Sequence, residues 1–147
     1  MTERFKLRVA VYLVLKNDDK ILLMKRAGSG YFDGWYSLPA GHVDGNETLK
    51  SAAIREAKEE INIDLTPDDI DLKLTMHRQG NGSEYIDVFF EVKQYQNQIC
   101  INEPDKCSEL IYVNPQEKEE QIIPYIHQAL NAIKNNINYL ECDWQKE

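Results

Sequence analysis

Gly41-His42-Val43-Asp44-Gly45-Asn46-Glu47, then seven residues, then Arg55-Glu56-Ala57-Lys58-Glu59-Glu60-Ile61-Asn62-Ile63, is the stretch on which the fold and the chemistry turn. From Glu47 to Ile61 there is no Pro or Gly, and Leu49, Ala52, Ala53, Glu56 and Ala57 are strong helix formers. The spacing predicts a helix over 47–61, with Asn46 as its N-cap and Asn62 closing it in the left-handed conformation. On that helix Glu56, Glu59 and Glu60 share an arc of about 100°, and Ala53, Ala57, Ile61 and Ile54 occupy the adjoining arc. One side therefore buries an aliphatic stripe while the other points three carboxylates into a cleft. Like charges at these spacings repel one another by about 0.2–0.5 kcal/mol per pair. They also crowd toward the helix end that least favours negative charge. A cation would relieve that strain, and magnesium is typically held by a few carboxylates together with water and substrate phosphates. For the Glu59-Glu60 pair alone, the competing reading is a solvated acidic face.

Outward from this helix the pattern is mixed. Leu7, Val9, Val11, Leu13 and Leu15 recur with period two and predict a half-buried strand from Phe5 to Leu15. Asn17-Asp18-Asp19 reads as a turn into a second strand, Lys20 to Lys25. Ala27 to Trp35 is Gly-rich and irregular, followed by the short apolar piece Trp35 to Leu38, and Pro39 is expected to end regular pairing. Leu72–Arg78, Tyr85–Val92 and Leu110–Val113 read as three further strands. Pro124 opens a closing helix to about Lys134, whose Tyr125, Ile126, Ala129, Leu130 and Ile133 fall at the spacing of a core face. The expected architecture is α/β in one domain spanning residues 1–147, a mixed sheet with one central helix and one C-terminal helix.

Composition narrows the function. With 17 basic against 25 acidic residues and a net charge of -8, the chain is poorly suited to coat a polymeric nucleic acid, which needs clustered Lys and Arg. A small phosphorylated ligand held through a metal ion stays open. Three cysteines with no C-x-x-C pair argue against a disulfide framework or a cysteine zinc site. No apolar run approaches a membrane span, and Met1 to Lys6 lacks the apolar core of a signal peptide. The expectation is a cytoplasmic protein without a membrane partner.

The segment as a whole, residues 41–63, resembles the Nudix box of the Nudix hydrolases, with affinity to the MutT-like branch. Gly41, Glu47, Arg55, Glu56, Glu59 and Glu60 match its glycine and charged positions, Ala57 and Ile63 its aliphatic ones. Asn62 stands where the family usually has glycine, and asparagine is among the residues that best tolerate that backbone. The resemblance implies an α/β/α sandwich in which the box forms a loop–helix–loop. It further implies hydrolysis of a diphosphate linkage in a nucleoside diphosphate derivative, with magnesium or manganese as cofactor. Carried over by position, Glu56, Glu59 and Glu60 are metal ligands with the Ala40 carbonyl, and Arg55 and Glu47 orient them. Water then attacks phosphorus in line. A MutT-like nucleoside triphosphate pyrophosphohydrolase is the leading expectation. ADP-ribose, nucleotide-sugar or dinucleotide polyphosphate hydrolysis comes second, and a non-catalytic nucleotide-binding module third. A homodimer is common in the family.

Other signals are individually weaker. A fourth carboxylate often completes such a site, and Glu84, Asp87, Glu91, Glu103 and Glu109 all compete for that place. Arg26 and Gly41 are candidates to meet substrate phosphates, Arg26 against the alternative of a solvated strand end. Tyr31 and Trp35, with Phe32, could stack on a base or simply pack their loop. His42 could touch a phosphate or lie on a loop surface. His77 and His127 are isolated. Cys107, in Glu103-Pro104-Asp105-Lys106-Cys107, has no visible base to make it a nucleophile.

Overall fold

A computed structural model describes residues 3–80 and 82–144. The chain runs β1 (Arg8–Asn17), β2 (Lys20–Arg26), β3 (Tyr36–Ser37), β4 (Ala40–His42), α1 (Leu49–Ile61), β5 (Ile70–Gln79), β6 (Glu84–Val92), β7 (Cys107–Val113), α2 (Pro124–Lys134) and β8 (Tyr139–Cys142). Short 3-10 helices cover Pro67–Asp69 and Pro115–Gln121.

β1 organises the sheet. Along one edge it pairs parallel with β6, from Arg8↔Tyr85 to Leu15↔Val92. Its other edge is shared: the first half pairs antiparallel with β4, and Lys16 and Asn17 pair with Ile21 and Lys20 of β2. The remaining order runs β3-β2-β1-β6-β5-β8, with β7 on β2. This is a mixed sheet of eight strands.

Both faces are covered, so β1 is buried continuously from Ala10 to Leu15. That corrects the half-buried strand expected from the period-two pattern. Val11, Leu13 and Leu15 face the core under α1, whereas Tyr12 and Val14 face the core under α2. A strand sandwiched between helices reads as an apolar run, and here Ala10 and Tyr12 interrupt the run enough to mimic alternation. Phe5 and Leu7 precede the strand and are exposed.

The helix carrying the carboxylates begins at Leu49, two residues later than expected. Its cap is Thr48 rather than Asn46: the Thr48 hydroxyl accepts from the Ser51 N–H, while Asn46 sits at φ 56° in the preceding turn. The other end is as read, with Asn62 left-handed at φ 67° and its N–H donating to the Lys58 carbonyl. Ala52, Ala53, Ala57 and Ile61 are buried and Ile54 is half-buried. Because three of those four buried side chains are alanines, the helix can approach the sheet closely. α2 buries Tyr125, Ile126, Ala129, Leu130 and Ile133, the face expected from spacing.

Two strands had no counterpart in the sequence reading. Pro39 does not end pairing, since β4 resumes at Ala40 beside Tyr12. Beyond α2 the chain returns as β8, parallel to β5, with Tyr139 beside Thr75. β5, β6 and β7 also extend past their expected limits. Among the described residues, no helix is long and apolar enough to cross a membrane.

Candidate active site

Arg55 lies at the centre of the carboxylate cluster. Its Nε donates to Glu47 Oε1 at 3.1 Å and its Nη2 to Glu47 Oε2 at 2.9 Å, a bidentate fork. Nη1 donates to Glu56 Oε1 at 2.9 Å and, at 3.4 Å, to Glu59 Oε2. Nη2 also reaches the His42 carbonyl at 3.1 Å, which fastens β4 to the helix. Glu47 in turn accepts from the Asp44 N–H at 2.8 Å and closes the loop before the helix. The hydrogen bonds from Arg55, then that from Asp44, hold the Glu47 carboxyl below its ordinary range.

Glu60 faces the other way. Its Oε1 accepts from the Ala40 N–H at 2.8 Å. Burial pushes its carboxyl up to about 8, opposed by the Ala40 bond and reinforced by Glu56 and Glu103, while Arg26 draws it down slightly. Although Glu60 as a residue is only half-buried, the carboxyl end is the part removed from water. Burial also raises Glu56, against the pull of Arg55. Gly41 explains itself here, because a Cβ at that position would overlap the Glu56 carboxyl group. Gly41→Ala should displace Glu56 and lower apparent magnesium affinity by about 10–100-fold in a metal titration of activity. An unchanged titration would show that the glycine is not required for that packing.

The structure separates the five candidates for a fourth carboxylate. Asp87 is buried under α2 and bonded to Arg78 at 2.6 Å. Glu109 accepts from the Tyr36 hydroxyl at 2.7 Å. Glu91 pairs with Lys16 and Glu84 lies by His77. Only Glu103, of the five, raises both Glu56 and Glu60. The end of α1 brings it there. Its carbonyls accept from the segment that leads to Glu103: Ile61 from the Cys100 N–H, Glu60 from the Asn102 N–H, and Lys58 from the Asn102 side chain. Asn62 adds a bond from its side chain to the Gln98 carbonyl, which a glycine could not make. In sequence Glu103 is one of five candidates, within a Glu103–Cys107 stretch that resembles one of the MutT-like branch, and these helix-end bonds fix its placement.

Glu59 shares Arg55 with Glu56 and is the more exposed of the two. Its side chain is 51% exposed, and among the described residues no three His, Cys, Asp or Glu side chains stand in a metal-holding arrangement. The donor set is nevertheless chemically suited to a hard divalent cation, being carboxylate oxygens whose mutual repulsion a cation would relieve. Glu56, Glu59, Glu60 and Glu103 are the residues that could hold it.

Arg26 closes the cluster from β2, with Nε donating to the Tyr31 carbonyl at 2.8 Å and Nη2 to Ser29 Oγ at 3.1 Å. Phe32 packs on the core, while the rings of Tyr31 and Trp35 meet it edge-on from exposed positions. Cys107 is buried and its thiol is raised by burial, which opposes nucleophilic use. A cavity of about 630 Å³ opens beside the C-terminal half of α2, floored by Val14, Ile21, Leu130 and Ile133. It shares no residue with the carboxylate cluster.

Known proteins share this fold. The family model described as NUDIX domain matches residues 6–130. Nucleoside triphosphatase NudI of Salmonella agona is 29% identical over 120 residues, covering 75% of this chain and 84% of that protein. An ADP-ribose pyrophosphatase of Methanocaldococcus jannaschii is 44% identical over 55 residues, covering 37% of this chain and 32% of that one. The match thus spans about a third of the archaeal protein. The crystal structure of a MutT NUDIX hydrolase from Burkholderia pseudomallei shares the fold with a TM-score of 0.77 at 24% identity, over 86% of this chain and 98% of that one. With the family model matching residues 6–130, the box on α1 and the fold shared with a solved member, the chain belongs to the Nudix hydrolase family.

Proposed function

We propose that this protein hydrolyses a nucleoside triphosphate to the monophosphate and pyrophosphate. The observation that carries the reading is the Glu60 carboxyl, withdrawn from water and set beside the carboxylates of Glu56 and Glu103. Bound there, a divalent cation, magnesium in the first instance, supplies charge neutralisation on the diphosphate and a polarised water. Glu56, Glu59 and Glu60, with the Ala40 carbonyl and Glu103, are the groups to hold it. Arg55 and Glu47 keep Glu56 and the loop after β4 in register, and Arg26 faces the phosphates from β2. The attacking water gives up its proton to a carboxylate of this cluster as its oxygen bonds phosphorus in line. The bond from that phosphorus to the α–β bridging oxygen breaks, and the oxygen departs with the other product.

A triphosphate substrate is favoured over ADP-ribose because likeness to the triphosphatase runs through 75% of this chain, whereas likeness to the ADP-ribose enzyme is confined to 37%. Base and sugar selection lies outside the box, so the longer likeness carries more weight. Intact glutamates at 56, 59 and 60 count against a binding module without catalysis. The test is a phosphate-release screen with coupled pyrophosphatase and phosphatase, across nucleoside triphosphates, oxidised nucleotides, ADP-ribose and sugar nucleotides. Each is run with magnesium and with chelator. Metal-dependent turnover of triphosphates is expected, and turnover confined to ADP-ribose or a sugar nucleotide would overturn the reading.

A further inference from the structure

The loop between β2 and β3 carries a hydrogen-bond net that its closure does not require. Its two ends are already joined by backbone, with the Arg26 N–H donating to the Trp35 carbonyl at 2.9 Å and the Gly34 N–H to the Arg26 carbonyl at 2.7 Å. Asp33, exposed within the loop, nevertheless accepts three further bonds. Its Oδ1 takes the Ser29 hydroxyl at 2.7 Å and the Ser29 N–H at 3.1 Å, and its Oδ2 takes the Gly30 N–H at 2.8 Å. These bonds hold the Asp33 carboxyl below its ordinary range, the Ser29 hydroxyl contributing most. With its proton committed to Asp33, the Ser29 oxygen accepts from Arg26 Nη2 and from the Tyr31 N–H, both at 3.1 Å. Arg26 Nε donates to the Tyr31 carbonyl at 2.8 Å. A chain of contacts, Asp33 to Ser29 to Arg26, thus runs from the loop back to the end of β2.

Arg26 is half-buried, and both oxygens that accept from its guanidinium are neutral. Its charge therefore acts on what lies beyond them, and it draws the Glu60 carboxyl down. Arg26 sits opposite Cys107 in the β2–β7 pairing, and the Glu60 charge reaches that thiol as well. The carboxyl end of Glu60, Cys107 and Arg26 thus meet at one corner of the cluster. The loop is pinned on that side. The Ala27 N–H donates to the Lys106 carbonyl at 2.9 Å, and the Lys106 and Cys107 N–H groups donate to the Glu103 carbonyl at 2.9 and 3.0 Å. Gly28, at φ 64°, lies so close to the Asp105 carbonyl that a Cβ would overlap it. The turn headed by Glu103 therefore carries the Arg26 loop as well.

We infer that Asp33 is a positioning residue, which through Ser29 fixes the Arg26 guanidinium toward the phosphates of a substrate bound at the carboxylate cluster. This deepens the reading of the protein as a nucleotide hydrolase and rests on it. A guanidinium suits phosphate oxygens, because its planar fork can offer two parallel donors. An arginine already held by two bonds has less rotamer freedom to lose when an anion binds than one that is free. The Asp33 carboxylate also polarises the Ser29 hydroxyl, which then accepts more strongly from the guanidinium. Asp33 itself bonds to none of the clustered glutamates, so its effect on phosphate binding travels through Arg26.

The test is a double-mutant cycle read in binding and in turnover. Calorimetric titration with pyrophosphate in magnesium requires no turnover. Arg26→Ala should weaken that binding by about tenfold, and Asp33→Ala by roughly three- to tenfold. In the double variant the loss should equal that of Arg26→Ala alone, a silence that a merely structural role for Asp33 would not produce. Ser29→Ala leaves the backbone bonds to Asp33 and cuts only the link to Arg26, so it carries the test should Asp33→Ala fail to fold, and it should weaken binding as Asp33→Ala does. With a triphosphate in magnesium the same variants should raise KM by the same factors rather than lower kcat, with the magnesium titration unmoved. Losses that add in the double variant, wild-type binding by Ser29→Ala, or no binding of magnesium pyrophosphate by the wild type would overturn the inference, and metal-dependent triphosphate turnover would then leave the hydrolase reading standing. The expected pattern of binding in a protein that turns over no triphosphate would instead overturn the hydrolase reading and leave Asp33 as the residue that positions Arg26.

Discussion

Glu60→Gln lowers kcat/KM at saturating magnesium by on the order of a thousandfold, about 4 kcal/mol of transition-state stabilisation. The amide keeps the size of the side chain and can still accept the Ala40 N–H through its carbonyl oxygen, so the fold survives. What it removes is the ionisable carboxyl at the most enclosed position of the cluster, the group proposed to bind the cation. Retention of wild-type activity at saturating magnesium would sink the assignment. The same substitution has a second signature in chelator. The folded carboxyl sits at about 8, against an ordinary value of 4.5. Folding therefore binds a proton that the unfolded chain gives up, and this contribution is fully present below pH 4.5 and lost as pH rises through 8. Chelated wild-type protein should lose melting temperature across that window, and Glu60→Gln should lose visibly less. Magnesium should reverse the effect for the wild type alone, because a cation favours the ionised carboxylate. Parallel pH profiles for both proteins in chelator would show that burial of this charge is not what strains the site.

Asp87→Ala is expected to be the most destabilising single change on the other face. It strands the Arg78 guanidinium, 6% exposed, between two tyrosine rings without its counterion. Removing one member of a buried pair costs about 3–5 kcal/mol, which for a chain of this size is a fall of roughly 10 °C in Tm. Burial by itself lifts the Asp87 carboxyl, and Arg78 opposes that lift. The 2.6 Å contact decides for the ionised pair. The double variant Arg78→Met with Asp87→Leu should recover most of the lost stability, since no unpaired charge remains. Denaturant unfolding of the three proteins checks both statements. A single variant within 1 kcal/mol of wild type would mean that the pair is not tightly coupled.

Much of the carboxylate site was legible because its residues lie on one helix and the loop before it. A 3.6-residue period converts sequence spacing directly into direction, so Glu56, Glu59 and Glu60 could be placed on one side before any fold was known. Arg55 and Glu47 were read as a pair by resemblance, and their bidentate contact follows from one side chain reaching back across the first turns of α1. The cap was misread because Asn46 and Thr48 are both good caps by type. The turn at Gly45 and Asn46, both with positive φ, delays the helix by two residues. β8 went unread because its four residues pair only with β5, far away in sequence.

Local spacing along the chain determined the helix, its carboxylate face and the family, because those are properties of neighbours within a few turns. Tertiary structure decided which distant carboxylate joins them. Glu103 arrives through hydrogen bonds to the end of α1, and Asp87 is withdrawn to the other face by Arg78 and Tyr12. It also decided that β1 is buried on both sides and that Gly41 must lack a side chain. The physical reason is the same in each case. Burial and electrostatic crowding depend on what the rest of the chain brings to a point in space, and a one-dimensional pattern records direction without recording that company.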